Sequence, residues 1–119
     1  MIYEAPFVDG VYGTPVALPA PVNSGVSDTS PFISPDANTL LFYSTRSGGF
    51  GKADLYVAFR KHGKWTEVEN LGASVNSPES EYNPAVSPDG KTLFFGRDSN
   101  IYELPIREVH AIKPSLFLR

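Results

Sequence analysis

Two short stretches of this chain are apolar without alternation, Leu40-Leu41-Phe42-Tyr43 and Leu93-Phe94-Phe95. A strand with one face in water alternates apolar and polar side chains, so an unbroken run predicts a strand buried on both faces. Punctuation residues around the first run mark out its neighbours. Pro31 to Ser34 is short and extended. Ser34-Pro35-Asp36-Ala37-Asn38 reads as a tight turn, with Pro35 presetting φ and the Asp36 carboxylate accepting backbone N–H groups. Thr39 to Thr45 is rich in β-formers, Ser47 to Gly51 is a loop, and Asp54 to Arg60 is the next strand. Lys61-His62-Gly63-Lys64 is a hairpin tip, and Trp65 to Leu71 completes a set of four consecutive antiparallel strands.

The set is repeated. Ser34-Pro35-Asp36-Ala37-Asn38-Thr39-Leu40-Leu41-Phe42 recurs as Ser87-Pro88-Asp89-Gly90-Lys91-Thr92-Leu93-Phe94-Phe95, an offset of 53. The same offset carries Pro21-Val22-Asn23-Ser24 onto Ser74-Val75-Asn76-Ser77, Leu18 onto Leu71, and Pro31-Phe32-Ile33 onto Pro84-Ala85-Val86. It also carries Ile2-Tyr3 onto Leu55-Tyr56, Gly10 onto Gly63 and Tyr12 onto Trp65. After Thr45 the second copy is shorter by the loop around Arg46 to Lys52, and Asp54-Leu55-Tyr56-Val57 is then matched by Asn100-Ile101-Tyr102-Glu103. The repeat units run over roughly 12–63 and 65–113, and residues 1–11 match the end of a preceding unit. The tail from Glu108 to Pro114 is expected as a closing strand or as a short helix ended by Pro114.

Four antiparallel strands per period is the content of one β-propeller blade, and blades stacked face to face cover an inner strand on both sides. A two-sheet sandwich would show cleaner alternation. The expected fold is therefore all-β, about two four-stranded blades of a larger or oligomeric propeller. Pro-Phe-Ile-Ser-Pro-Asp at 31–36, Pro-Ala-Val-Ser-Pro-Asp-Gly at 84–90 and Asp-Leu-Tyr-Val at 54–57 resemble TolB-type (WD40-like) propeller repeats. Gly48-Gly49-Phe50-Gly51 before the Asp-Leu-Tyr strand is similar to a variant in bacterial extracytoplasmic propellers. Ala37-Asn38 stands where that family usually has Gly-Lys, and Asn100 where its strand opens with Asp. The resemblance implies a periplasmic or secreted location and a non-enzymatic binding or scaffold module that meets protein or glycan partners through its loops. The alternative it leaves open is the propeller domain of a hydrolase or lyase with a site in the central channel.

Composition narrows the chemistry. The 119 residues carry 10 basic and 13 acidic side chains, a net charge of -3 that is a poor footprint for nucleic acid. The absence of cysteine removes disulfides, thiolate metal sites and cysteine nucleophiles. No apolar run approaches the roughly 18 residues of a membrane span, and Met1-Ile2-Tyr3-Glu4 does not open like a signal peptide. About two repeats do not close a ring of four to eight blades, so self-association that completes a propeller is expected.

Candidate reactive residues are sparse. There is no G-x-S-x-G elbow and no H-E-x-x-H; His62 falls on a hairpin tip and His110 in the tail. No catalytic residue, metal site or cofactor is assigned. Asp98-Ser99-Asn100 opens like a calcium loop but lacks its glycine and closing glutamate, and Glu79 and Glu81 read as solvated carboxylates ahead of the Pro84 strand. Gly49-Phe50-Gly51 lacks the following helix of a phosphate loop. The basic stretch around the glycine loop supplies the candidate partner-binding residues, Arg46, Phe50, Lys52 and Arg60, with Arg46 and Asp54 expected to pair across the loop. Tyr3, Tyr56 and Tyr102, and likewise Tyr12 and Trp65, occupy equivalent positions and are expected in the core.

Overall fold

The computed structural model describes residues 1–118, and every regular element longer than a turn is a strand. The first four strands are two residues each: β1 (Tyr3–Glu4), β2 (Phe7–Val8), β3 (Val11–Tyr12) and β4 (Val16–Ala17). There follow β5 (Asp28–Ile33), β6 (Thr39–Ser44), β7 (Asp54–Lys61), β8 (Lys64–Trp65) and β9 (Glu69–Asn70). The last three are β10 (Tyr82–Val86), β11 (Thr92–Arg97) and β12 (Asn100–Pro105). All strand pairings are antiparallel: a central sheet β5-β6-β7 with β8 and β9 both on the far edge of β7, a three-stranded sheet β10-β11-β12, and the pairs β1–β4 and β2–β3.

The unbroken apolar run is explained by what covers it. Leu41, Leu55 and Val57 on one face of the central sheet meet Leu93 and Phe95 of the three-stranded sheet. Leu40, Phe42, Tyr56 and Ala58 on the other face meet Ile2, Val22 and Leu18 from the N-terminal segment. Both faces of β6 are thus removed from water, as its lack of alternation requires. In β11 the Leu93 and Phe95 side chains are buried, while Phe94 turns to the opposite face and is half-buried.

The turns follow their residue chemistry. At Ser34–Asn38 the Asp36 carboxylate accepts from Ser34 Oγ (2.7 Å) and the Asn38 N–H (3.0 Å). At the equivalent turn Asp89 accepts from Ser87 Oγ (2.6 Å) and the Lys91 N–H (3.0 Å). These donors hold both exposed carboxyls below the usual aspartate range. The His62-Gly63 tip has positive φ at both residues (53° and 76°), which is the two-residue hairpin conformation that favours glycine.

Three expectations need correction. The strand expected over Trp65 to Leu71 is split into β8 and β9, because the Thr66 N–H and hydroxyl turn to Phe59 and interrupt the ladder. The tail is neither a closing strand nor a helix ended by proline. It makes two 3-10 turns, Ile106–Glu108 and Pro114–Phe117, and Pro114 begins the second. Ile106, Val109, Ile112 and Phe117 bury themselves with the residues between the two larger sheets, which draws the tail away from the free edge of β12. Among the repeated aromatics only Tyr56 is buried. Tyr3 is 58% exposed, Tyr12 71% and Tyr102 38%, because Tyr3 and Tyr12 lie outside the covered face of the N-terminal strands and Tyr102 sits on the last strand.

Candidate functional site

Within each repeat, one carboxylate, one arginine and two aromatic rings form the same cluster. Asp28 opens β5 and is 1% exposed. It accepts from the Ser24 N–H (2.8 Å), Ser24 Oγ (2.9 Å), Ser44 Oγ (2.6 Å) and Arg46 Nη2 (3.0 Å). Burial pushes its carboxyl up, but the hydrogen bonds from Ser44, Ser24 and Arg46 outweigh this and hold it below the usual range. Glu81 stands 53 residues on, fully buried, and accepts from the Ser77 N–H (3.0 Å), Ser77 Oγ (2.6 Å) and Arg97 Nε (2.7 Å). Hydrogen bonding to Glu81 raises the Arg97 guanidinium above its ordinary value.

The arginines close each cluster from outside. Arg46 Nη2 donates to the Val22 carbonyl at 2.6 Å and Arg97 Nη2 to the equivalent Val75 carbonyl at 2.7 Å. Arg46 lies 5.3 and 5.1 Å from the ring centroids of Phe42 and Tyr56, and Arg97 lies 5.6 and 4.8 Å from those of Phe95 and Tyr102. A guanidinium held by a carboxylate, a carbonyl and two π-faces is committed to structure. It joins the first, second and third strands of its own repeat to the loop before them.

That loop carries a second repeated device. The Ile2 N–H donates to Asn23 Oδ1 at 2.7 Å, and Asn23 Nδ2 donates to the Ile2 carbonyl at 2.8 Å. The Leu55 N–H and carbonyl are held in the same way by Asn76, at 2.8 and 2.9 Å. Leu18 N–H adds a bond to the Ile2 carbonyl and Leu71 N–H to the Leu55 carbonyl, each 3.0 Å. The asparagine therefore clamps the outer edge of a third strand and carries the chain into the next repeat. At that junction Gly51 lies against the Ser77–Glu79 backbone, and a Cβ there would collide with the Glu79 carbonyl.

The four candidate partner-binding residues do not form one site. Phe50 and Lys52 are exposed in the loop between β6 and β7, and Arg46 begins that loop but faces the Asp28 cluster. Arg60 lies at the other end of β7, where it donates twice to the Ala37 carbonyl, stacks on Trp65 at 4.8 Å and reaches Glu4 at 3.3 Å. The expected Arg46–Asp54 pair is absent, because Asp54 accepts from Phe50 N–H (2.6 Å), Gly51 N–H (3.2 Å) and Asn70 Nδ2 (3.0 Å) and so closes the glycine loop on itself. Glu81 is not solvated as expected, whereas Glu79 is exposed. His62 and His110 are both exposed, and Asp98-Ser99 is a two-residue turn with both φ positive.

Exposed apolar side chains gather at the two ends of the stack of sheets. The N-terminal strands expose Tyr3, Phe7, Val8, Val11, Tyr12 and Val16. On the far side, Ile101 is 83% exposed beside Phe94 and Tyr82. Compared with protein-family models, with curated proteins and with solved structures, the chain matches none.

Proposed function

We propose that the two repeat units are consecutive blades of a TolB-like β-propeller and that the chain is a non-catalytic binding and assembly module. One observation carries the reading: apolar faces stand open at both ends of a stack whose inner faces are covered by equivalent residues. Contiguous exposed apolar surface of this kind marks a site of association with protein. The Asp28–Arg46 and Glu81–Arg97 pairs support a scaffold role, since both use their charge to hold strands together. On this reading the module works outside the cytoplasm, in keeping with the repeat family it resembles. Light scattering from about 1 to 100 μM tests it, a span of two decades that covers affinities from about −8 to about −5.5 kcal/mol. Mass rising above 13.0 kDa as concentration rises is expected. A constant monomer mass over that range would refute assembly through these faces.

A further inference from the structure

The first and last strands of the chain carry nearly the same pentapeptide. Ile2-Tyr3-Glu4-Ala5-Pro6 and Ile101-Tyr102-Glu103-Leu104-Pro105 differ at one position. Both occupy the third-strand place of the repeat, which Leu55-Tyr56-Val57 fills in the middle of the chain. Among the described residues, each of the two outer strands is paired on one edge only. β1 pairs with β4 on its outer edge, and β12 pairs with β11 on its inner edge. The two-residue turn at Asp98-Ser99 makes Arg97–Asn100 the bonded pair of the hairpin. Alternation then points the N–H and carbonyl of Ile101 outward. Those are the groups that Asn23 clamps on Ile2 and Asn76 clamps on Leu55.

We infer that β12 of one copy takes the place of β1 in a second copy, a head-to-tail strand exchange. The inference rests on the assembly reading above and names the partner and the contact. Ile101 would enter the pocket of Val22, Leu40 and Phe42 that Ile2 occupies, and Asn23 would clamp its backbone. Glu103 would replace Glu4 beside Arg60, so the ion pair is kept in kind. The exchanged strand is paired on both edges, with β11 of its own chain and β4 of its neighbour. Phe94 is carried onto the Leu40–Phe42 face just as Leu41 meets Leu93 and Phe95 within one chain. The contact is heterologous, so it propagates until it closes into a ring, and three copies would give six blades.

Cysteine trapping tests the exchange without background, since the chain has no cysteine. Tyr3 is opposite Ala17 in the β1–β4 register, so Tyr102 of one copy would be opposite Ala17 of the next. The Ala17→Cys/Tyr102→Cys double variant should cross-link between chains on mild oxidation. A Tyr3→Cys/Ala17→Cys control should close within one chain. Ile101→Asp should abolish the intermolecular product and weaken association at least ~100-fold, as loss of a buried isoleucine site implies. Its circular dichroism and urea midpoint at 1 μM should stay unchanged because residue 101 is exposed in the single chain. Association that persists in Ile101→Asp, with no Tyr102–Ala17 cross-link, would overturn the exchange and leave assembly standing. A chain that is monomeric throughout would overturn both.

Discussion

Asn76→Ala measures the junction between repeats most sharply. The carboxamide is 2% exposed and makes three hydrogen bonds, two to the Leu55 backbone and one to Asn70 Oδ1 at 2.7 Å. After truncation the Leu55 carbonyl still accepts from Leu71 N–H, and Asn70 Oδ1 still accepts from Gly72 N–H. The Leu55 N–H has no substitute, and Leu55 is fully buried. An orphaned buried donor costs about 1–3 kcal/mol and the other two bonds about 0.5–1.5 kcal/mol each, so a loss of about 2–6 kcal/mol is expected. Asn23→Ala removes the equivalent bonds from Ile2. There β1 is two residues long, paired on one edge and exposed at Tyr3 and Glu4, so it can detach and hydrate the freed N–H. The loss at Asn23 should be about half as large or less, since local release caps the penalty. Urea unfolding in an Ile101→Asp background keeps the measurement on single chains, and an unchanged slope confirms that midpoints report stability. A loss below about 0.5 kcal/mol at Asn76, or a larger loss at Asn23 than at Asn76, would refute the clamp.

Phe42→Ala should cost about 3–5 kcal/mol because its ring is fully buried between sheets, while His62→Ala should stay within about 0.5 kcal/mol; urea denaturation ranks them. Arg97→Met strips the buried Glu81 of its cation and leaves it only Ser77, so a loss of about 3 kcal/mol is expected, the low end for a broken buried pair because Arg97 is partly exposed. Asp28 has a folded-state pKa below its ordinary 3.8, so its ionised form adds stability that is complete well above that value and fades as pH falls through the folded pKa. The urea-midpoint gap between wild type and Asp28→Asn should therefore be full at pH 7 and shrink on acidification below about pH 4; a gap that widens on acidification would contradict the assignment.

The parts legible in sequence were those fixed by local chemistry or by the 53-residue offset. Pro35 and Asp36 specify their turn without tertiary help, and the run at Leu40–Tyr43 declares two-sided burial. The Asn23/Asn76 clamp was visible as a matched Val-Asn-Ser, although nothing local says which backbone it holds. Asp28 and Glu81 also stand 53 apart, but an aspartate and a glutamate do not look like a match until their shared serine and arginine partners are seen. Arg46 and Arg97 are 51 apart because Arg97 ends β11 while Arg46 stands two residues beyond the end of β6, so a fixed offset misses them. The aromatic positions misled for a different reason. Equivalence between repeats fixes where a side chain points, while burial depends on what lies across from it: Tyr3 and Tyr12 lie outside the covered face, and Tyr102 stacks on Phe95 but sits on the edge strand β12.

Amide hydrogen exchange followed at several protein concentrations tests the exchange of strands most directly. In the single chain the Ile2 N–H is bonded to Asn23 and the Ile101 N–H points outward from the edge of β12. Raising the concentration should reverse the pattern, with Ile101 and Glu103 gaining protection as Ile2 loses it in the same proportion. Protection that stays on Ile2 and never appears at Ile101, at concentrations where the mass shows assembled copies, would contradict it.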